Sequence, residues 1–246
     1  MTKVTSVPAS FNQNEISAFI NKKTGQVVRV LQDVYAESPR VERDCNSHFW
    51  TFSSRYDSPD VPEGYNGETN DFDEALGYVL GFDEENYEEK IEQIRTSCRN
   101  ANEFSKKLHQ IAAEKEIWLD LVSLTEHGER NYVLGALSGW DEGVVGFIWT
   151  HYSNIKRVHS LPEFWEVDAT LELGDYNDYV NGRVYIVEYV GVGEPDEVYG
   201  VYLDFPEDES VVLPFAQSNL APLKGAEFNL QDWVPAKRHT QVVYTD

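Results

Sequence analysis

Between Ser138 and Thr150 the chain reads Ser-Gly-Trp-Asp-Glu-Gly-Val-Val-Gly-Phe-Ile-Trp-Thr, and this stretch limits the folds open to it more than any other. Two glycines, Gly139 and Gly143, bracket the acidic pair Asp141 and Glu142, and a run of Val, Val, Phe, Ile and Trp follows. Glycine around short polar residues makes a tight turn, and β-branched and aromatic residues in a run suit a well-buried strand. A core strand with a turn at its entrance needs paired neighbours, so a sheet is expected.

Other segments supply the neighbours. Ala18-Phe19-Ile20 and Val27 to Leu31 flank Asn21-Lys22-Lys23-Thr24-Gly25, which reads as a hairpin with a glycine available for positive φ. Ile117 to Val122 reads as a strand, Glu126 to Glu129 as a turn, and the stretch from Val144 as the strand after it. Arg183 to Val190 and Val198 to Phe205 alternate like paired strands joined through Gly191, Gly193 and Pro195. Ile91, Ile94, Cys98, Ala101, Phe104, Leu108 and Ile111 recur at spacings of three and four, which predicts one long helix from Tyr87 to Glu116. Shorter helices are expected over Phe72 to Leu80, Ser153 to Val158 and Leu161 to Leu171. The fold class is therefore α+β, a mixed or mostly antiparallel sheet with one long helix packed on a face. Residues 1–14 lack periodicity and read as a flexible tail, leaving 15–246 as a single acidic domain; 41% hydrophobic residues are enough for its core.

Charge narrows the function. With 43 Asp and Glu against 20 Lys and Arg, the formal net charge is −23, and such a field repels nucleic acid and anionic membrane alike. Two cysteines do not make a disulfide framework and no apolar run spans a bilayer, so a cytoplasmic protein is expected. Twelve acidic residues and no Lys or Arg lie between Asp57 and Glu89. Within that block Glu84, Glu85, Glu88 and Glu89 have i, i+4 spacing, a like-charge pattern that costs about 0.2–0.5 kcal/mol per pair on a helix. A second block, from Glu163 to Glu209, holds Asp175 and Asp178 and is opposed only by Arg183. Aromatics are interleaved through it, so its carboxylates belong to folded elements with fixed positions. Duplex DNA carries one negative charge per roughly 1.7 Å of axis, and carboxylates held at comparable density suit a site built for phosphates. Solubility alone is the competing reading of both blocks.

Catalytic patterns are absent. The six histidines form no HExxH and no zinc-deaminase signature, and no phosphate-cradling glycine loop precedes a helix. Cys45 with His48 makes a dyad only if a third group orients it, and Asp44, His48 and Arg55 form the one polar cluster that an undetected nucleotide- or signal-molecule-metabolising enzyme would use. No enzymatic activity and no cofactor or metal is expected.

Three segments carry a resemblance. Ser38-Pro39-Arg40 with Glu42, Asp44 and the later Arg55-Tyr56 is similar to an SPRxWDN-like stretch. Trp140 to Ile148 is similar to a WDSGQVGFI strand, and Asp175 to Tyr185 to a YDQYLTGDVY segment. In this order, across most of residues 28–205, the chain resembles a family of small acidic proteins carried by bacteriophages and related mobile elements. It departs from the first motif at Arg43, Cys45 and Ser47, where the family has Trp, Asn and Gly. The resemblance implies a phage accessory protein in a bacterial cytoplasm and assigns no catalytic residue.

Composition and resemblance together lead to the expectation of a DNA-mimic-type inhibitor of a host restriction or CRISPR nuclease. Its partner would be a host DNA- or RNA-binding protein with a basic groove, met by Glu84, Glu85, Glu88, Glu89, Asp141, Glu142, Asp175 and Asp178. The alternative is an accessory protein that engages a host factor through aromatic residues such as Trp140 or Trp149. The sequence leaves the oligomeric state open, a homodimer included.

Overall fold

In the computed structural model, the residues described are 5–8, 14–42, 45–53, 55–56, 58–60, 71–126, 128–136, 143–158, 165–190, 196–224, 227–236 and 240–243. In chain order the elements are β1 (Thr5–Pro8), β2 (Glu15–Asn21), β3 (Val27–Gln32), α1 (Pro39–Glu42), β4 (His48–Thr51), α2 (Phe72–Val79), α3 (Tyr87–Thr96) and α4 (Ala101–Glu114). There follow β5 (Ile117–Glu126), β6 (Arg130–Leu134), β7 (Val144–His151), α5 (Tyr152–Val158), α6 (Trp165–Val180), β8 (Val184–Val190), β9 (Asp196–Tyr202), α7 (Glu209–Asn219), β10 (Trp233–Pro235) and β11 (Thr240–Val243). The class is α+β with antiparallel sheets of five and four strands, besides the pairing of β1 with β11. The chain divides into two compact units, Met1–Glu37 with Asp178–Asp246, and Ser38–Asn177. Among the described residues no helix is long and apolar enough to cross a membrane.

The first unit holds the five-stranded sheet, ordered β10-β2-β3-β8-β9. Its hairpin forms where the sequence places it, Ile20 opposite Val27. Asn21 closes the turn, its side-chain oxygen accepting the Lys23 and Thr24 N–H groups at 2.9 and 3.1 Å, and Gly25 takes φ 77°. Strand alternation then puts Phe19, Val28, Val30, Val187 and Tyr189 on one face, against Val212, Leu213 and Ala216 of α7. β8 and β9 pair as expected; the turn expected at Gly191, Gly193 and Pro195 lies outside the described residues.

The second unit is built on the four-stranded sheet β4-β7-β5-β6. The expected core strand is β7, central in that sheet, with Phe147 and Ile148 fully buried. Phe147, Leu119, Leu121 and Trp50 line one face and meet Leu76, Ile91, Phe104 and Leu108 from α2, α3 and α4. Each such side chain contributes about 1.5–3 kcal/mol through burial. On the opposite face α6 packs, Tyr176 meeting Phe49 edge-on at 5.6 Å and Tyr132 at 5.5 Å.

Three expectations change. The long helix is two helices, broken between Thr96 and Ala101. Ser97 and Cys98 turn their side chains onto the Ile94 carbonyl, and Asn100 starts α4 afresh by accepting the Glu103 N–H at 3.0 Å. The apolar spacing ran through the break because both helices feed one core. The strand after the Glu126–Glu129 turn is β6, and β7 instead pairs with the other edge of β5. β6 escaped notice because only Tyr132 in it is deeply buried. The short helix expected over Leu161–Leu171 extends to Val180, since Trp165, Ala169, Leu173 and Tyr176 keep one buried stripe as far as the turn at Gly182.

Candidate functional site

α3 begins where α2 holds it. Gly77 lets α2 approach closely, since a Cβ there would lie 2.6 Å from the Tyr87 Cβ at the first residue of α3. Ile91 anchors the inner face of α3, and the turn leading into it carries Asp83, Glu84 and Glu85 outward. All of Asp83, Glu84, Glu85, Glu88, Glu89 and Glu92 are exposed. Glu84 and Glu85 precede the helix, whose N-cap is Asn86, so the like-charge helical pairs expected with Glu88 and Glu89 do not form. Glu88 and Glu89 occupy the first turn, where the helix dipole favours anions.

Little positive charge answers this surface. Lys90 lies 3.8 Å from Asp83, and Arg95 joins Glu92 at 3.0 Å, while its other hydrogen bonds go to Asp73 at 3.0 and 2.5 Å. Glu89 accepts a neutral amide, from Gln93 at 2.9 Å. Four of the residues singled out by sequence, Glu84, Glu85, Glu88 and Glu89, are thus brought together on one surface.

The other four are not added to it. Asp141 and Glu142, with Trp140, lie outside the described residues. Asp175 is half-buried on α6, on the sheet face opposite to that covered by α3. Asp178 accepts from Arg183 Nε at 2.8 Å, and the Arg183 N–H caps the Asp178 carbonyl at 2.7 Å, with Gly182 at φ 71° completing the helix end. The segment Asp175–Tyr185 therefore ends a helix. Its Asn177 fastens that helix to β6: Oδ1 accepts the Tyr132 N–H at 2.7 Å and Nδ2 donates to the Tyr132 carbonyl at 2.9 Å. Asn177→Ala would leave both backbone groups buried without partners and is expected to lower stability by about 2 kcal/mol in a urea titration; an unchanged midpoint would show the clamp to be dispensable.

Of the polar cluster proposed for catalysis, His48 and Arg55 lie beside opposite ends of β4. Asp44 lies outside the described residues, and Arg55 is exposed beyond the far end of β4, paired with Glu126 at 3.1 Å. His48 sits against the Trp149 ring, centroids 4.6 Å apart. Burial pushes its pKa below the ordinary value, with Arg40 and His151 acting in the same direction and Asp60 opposing. The Cys45 thiol donates to the Pro39 carbonyl at 3.5 Å. Trp149 is 6% exposed and belongs to the core, so it offers no surface to a partner.

Arg40 has a role that sequence reasoning did not reach. Its side chain is 1% exposed, and Nε and Nη2 donate to Asp60 at 3.1 and 2.5 Å. Nη1 donates to Glu172 at 2.7 Å and Nη2 to the Ser47 carbonyl at 2.6 Å, while the Ser47 hydroxyl bonds Glu172 as well. Burial opposes the charge, but the hydrogen bonds and charge of Asp60, with the charge of Glu172, outweigh it and hold the Arg40 pKa above its ordinary value. The Ser-Pro-Arg stretch is thus a structural tie, since every direction of the fork is occupied. Only the three-dimensional proximity of Asp60 and Glu172, 20 and 132 residues away, reveals it.

Compared with protein-family models, with curated proteins and with solved structures, the chain matches none.

Proposed function

We propose that this chain is an acidic inhibitor of the DNA-mimic type, acting on a host nucleic-acid-binding defence protein such as a restriction or CRISPR nuclease. The observation that carries the reading is the surface formed by Asp83, Glu84, Glu85, Glu88, Glu89 and Glu92. Six carboxylates are held there on a seated helix and its entering turn, and among the described residues only Lys90, 3.8 Å from Asp83, and Arg95, on Glu92, stand close to them as cations. A groove lined by Lys and Arg is the natural counterpart of such a surface, because complementary charges raise the encounter rate. The formal net charge of −23 adds a long-range field of the same sign. The resemblance to acidic phage proteins supports the same class of partner, by analogy.

The test is a tagged pull-down from host lysate with duplex DNA as competitor, followed by binding kinetics on the retained protein. A DNA-binding protein displaced by DNA is the expected result, with affinity falling as salt rises. Reversing Glu84, Glu85, Glu88 and Glu89 to Lys is expected to slow association about tenfold or more at low salt. Retention indifferent to DNA, or kinetics indifferent to the four reversals, would sink the mimic reading.

A further inference from the structure

Beside the acidic helix the second unit contains a cavity of about 490 Å³, a size typical of ligand sites. Phe52, Phe72 and Phe104 supply its aromatic wall, and Asp71, Asp73 and Arg95 its polar one. The aromatic part is packed against its neighbours: Phe52 meets Phe72 edge-on at 5.5 Å, and both meet Phe147 at 5.8 and 5.6 Å. Arg95 already shows how this wall receives a guanidinium. Its head lies 5.5 Å from the centre of the Phe104 ring while its fork is met by Asp73. That charge is fully answered by Asp73 and Glu92.

Asp71 is different. One carboxylate oxygen caps α2 by accepting the Asp73 and Glu74 N–H groups at 2.8 and 3.4 Å, and among the described residues no cation pairs with it. Two carboxylates and one guanidinium leave the lining with a net negative charge, next to apolar rings whose faces attract cations. An anionic or neutral occupant finds little here that a cation with a planar head and an aliphatic stem does not use better. Arginine has that shape: its stem covers apolar surface, its head stacks on an aromatic ring, and its fork fits a carboxylate.

We infer that this cavity seats an arginine side chain of the basic partner, its stem along Phe52 and Phe72 and its guanidinium on Asp71. The cavity is larger than one side chain, so residues flanking that arginine enter with it. The inference rests on the proposed function for the identity of the partner, and it adds an anchoring pocket to the steering surface of α3. Steering sets the rate of encounter, whereas an anchored side chain sets the rate of release.

The direct probe is N-acetyl-arginine-N-methylamide, titrated against the isotope-labelled full chain by NMR, with the norleucine analogue as control. Shifts centred on Asp71, Phe72 and Arg95 are expected for arginine and not for norleucine. Asp71→Asn keeps an equally good helix cap and removes the charge, so it is expected to leave the melting temperature unchanged and to weaken the arginine probe at least fivefold. With the captured partner, Asp71→Asn should speed release while leaving association near wild type, the reverse of the Glu84, Glu85, Glu88 and Glu89 reversals. No localised shift, equal binding of norleucine, or an unaltered response of Asp71→Asn would overturn the pocket. If DNA-displaceable capture and the Glu reversals behave as expected while the probe does not bind, the pocket fails and the mimic reading stands. If the probe binds through Asp71 and no DNA-displaceable partner is retained, the arginine pocket stands and the mimic reading fails.

Discussion

Replacing Arg40 by Ala is expected to destabilise the Ser38–Asn177 unit by about 3–5 kcal/mol, a loss large enough to lower the urea midpoint sharply. The size follows from what is left behind. The Asp60 and Glu172 side chains are 15% and 16% exposed, and both pair with this guanidinium. Asp60 also accepts the Phe49 N–H at 2.6 Å, so its displacement would disturb β4 at the sheet edge. Arg40→Lys is expected to recover little of the loss, because one ammonium cannot reach Asp60, Glu172 and the Ser47 carbonyl at once. A midpoint within experimental error of wild type for Arg40→Ala would mean that the tie contributes nothing, and that the Ser-Pro-Arg stretch is there for another reason.

Gly146→Ala is expected to prevent the second unit from folding stably, with a loss beyond about 3 kcal/mol. A Cβ at this position would lie 1.9 Å from the Trp50 carbonyl oxygen and 2.9 Å from the Thr51 Cα. Those are backbone atoms of the paired strand, so no side-chain rotation relieves the overlap; β4 would have to move away from β7 and give up its ladder. Gly143→Ala makes a useful comparison. Gly143 stands at the strand entrance with φ 93°, so its cost includes backbone strain of about 1–2 kcal/mol. Circular dichroism and thermal melts of the two variants would separate the mechanisms; a Gly146→Ala protein melting like wild type would rule out the close approach.

Much of the architecture was readable from pattern. The hairpin at Asn21–Gly25, the buried strand after Gly143 and the paired strands on either side of Gly191 follow from local turn chemistry and side-chain alternation, which act between near neighbours. Helix periodicity identified which faces of α3 and α4 are buried but not that two helices share the stripe, because a heptad-like spacing does not register a cap that restarts the helix in phase. β6 was invisible for the opposite reason: its pairing with β5 and its clamp by Asn177 hold it in place with little apolar pattern of its own.

The candidate site divides in the same way. The clustering of Glu84, Glu85, Glu88 and Glu89 is a property of adjacent residues, so their common exposure followed from composition once a helix was placed beside them. Asp178 looked equivalent on the page, yet Arg183 takes it into a helix end. Asp71 drew no notice within its acidic block, and only the rings that line the same cavity distinguish its carboxylate from the rest.

By itself, the sequence determined the α+β class, most strands, the buried faces and the strongly negative field, because these depend on residue type and short-range order. The tertiary structure alone decided which charges are spent internally and which face outward. Arg40, Asp60 and Glu172 meet across long chain separations, and so do Asp73 and Arg95 at the cavity. A charge's worth depends on its solvent exposure and its partners, and both are set by folding rather than by position in the chain.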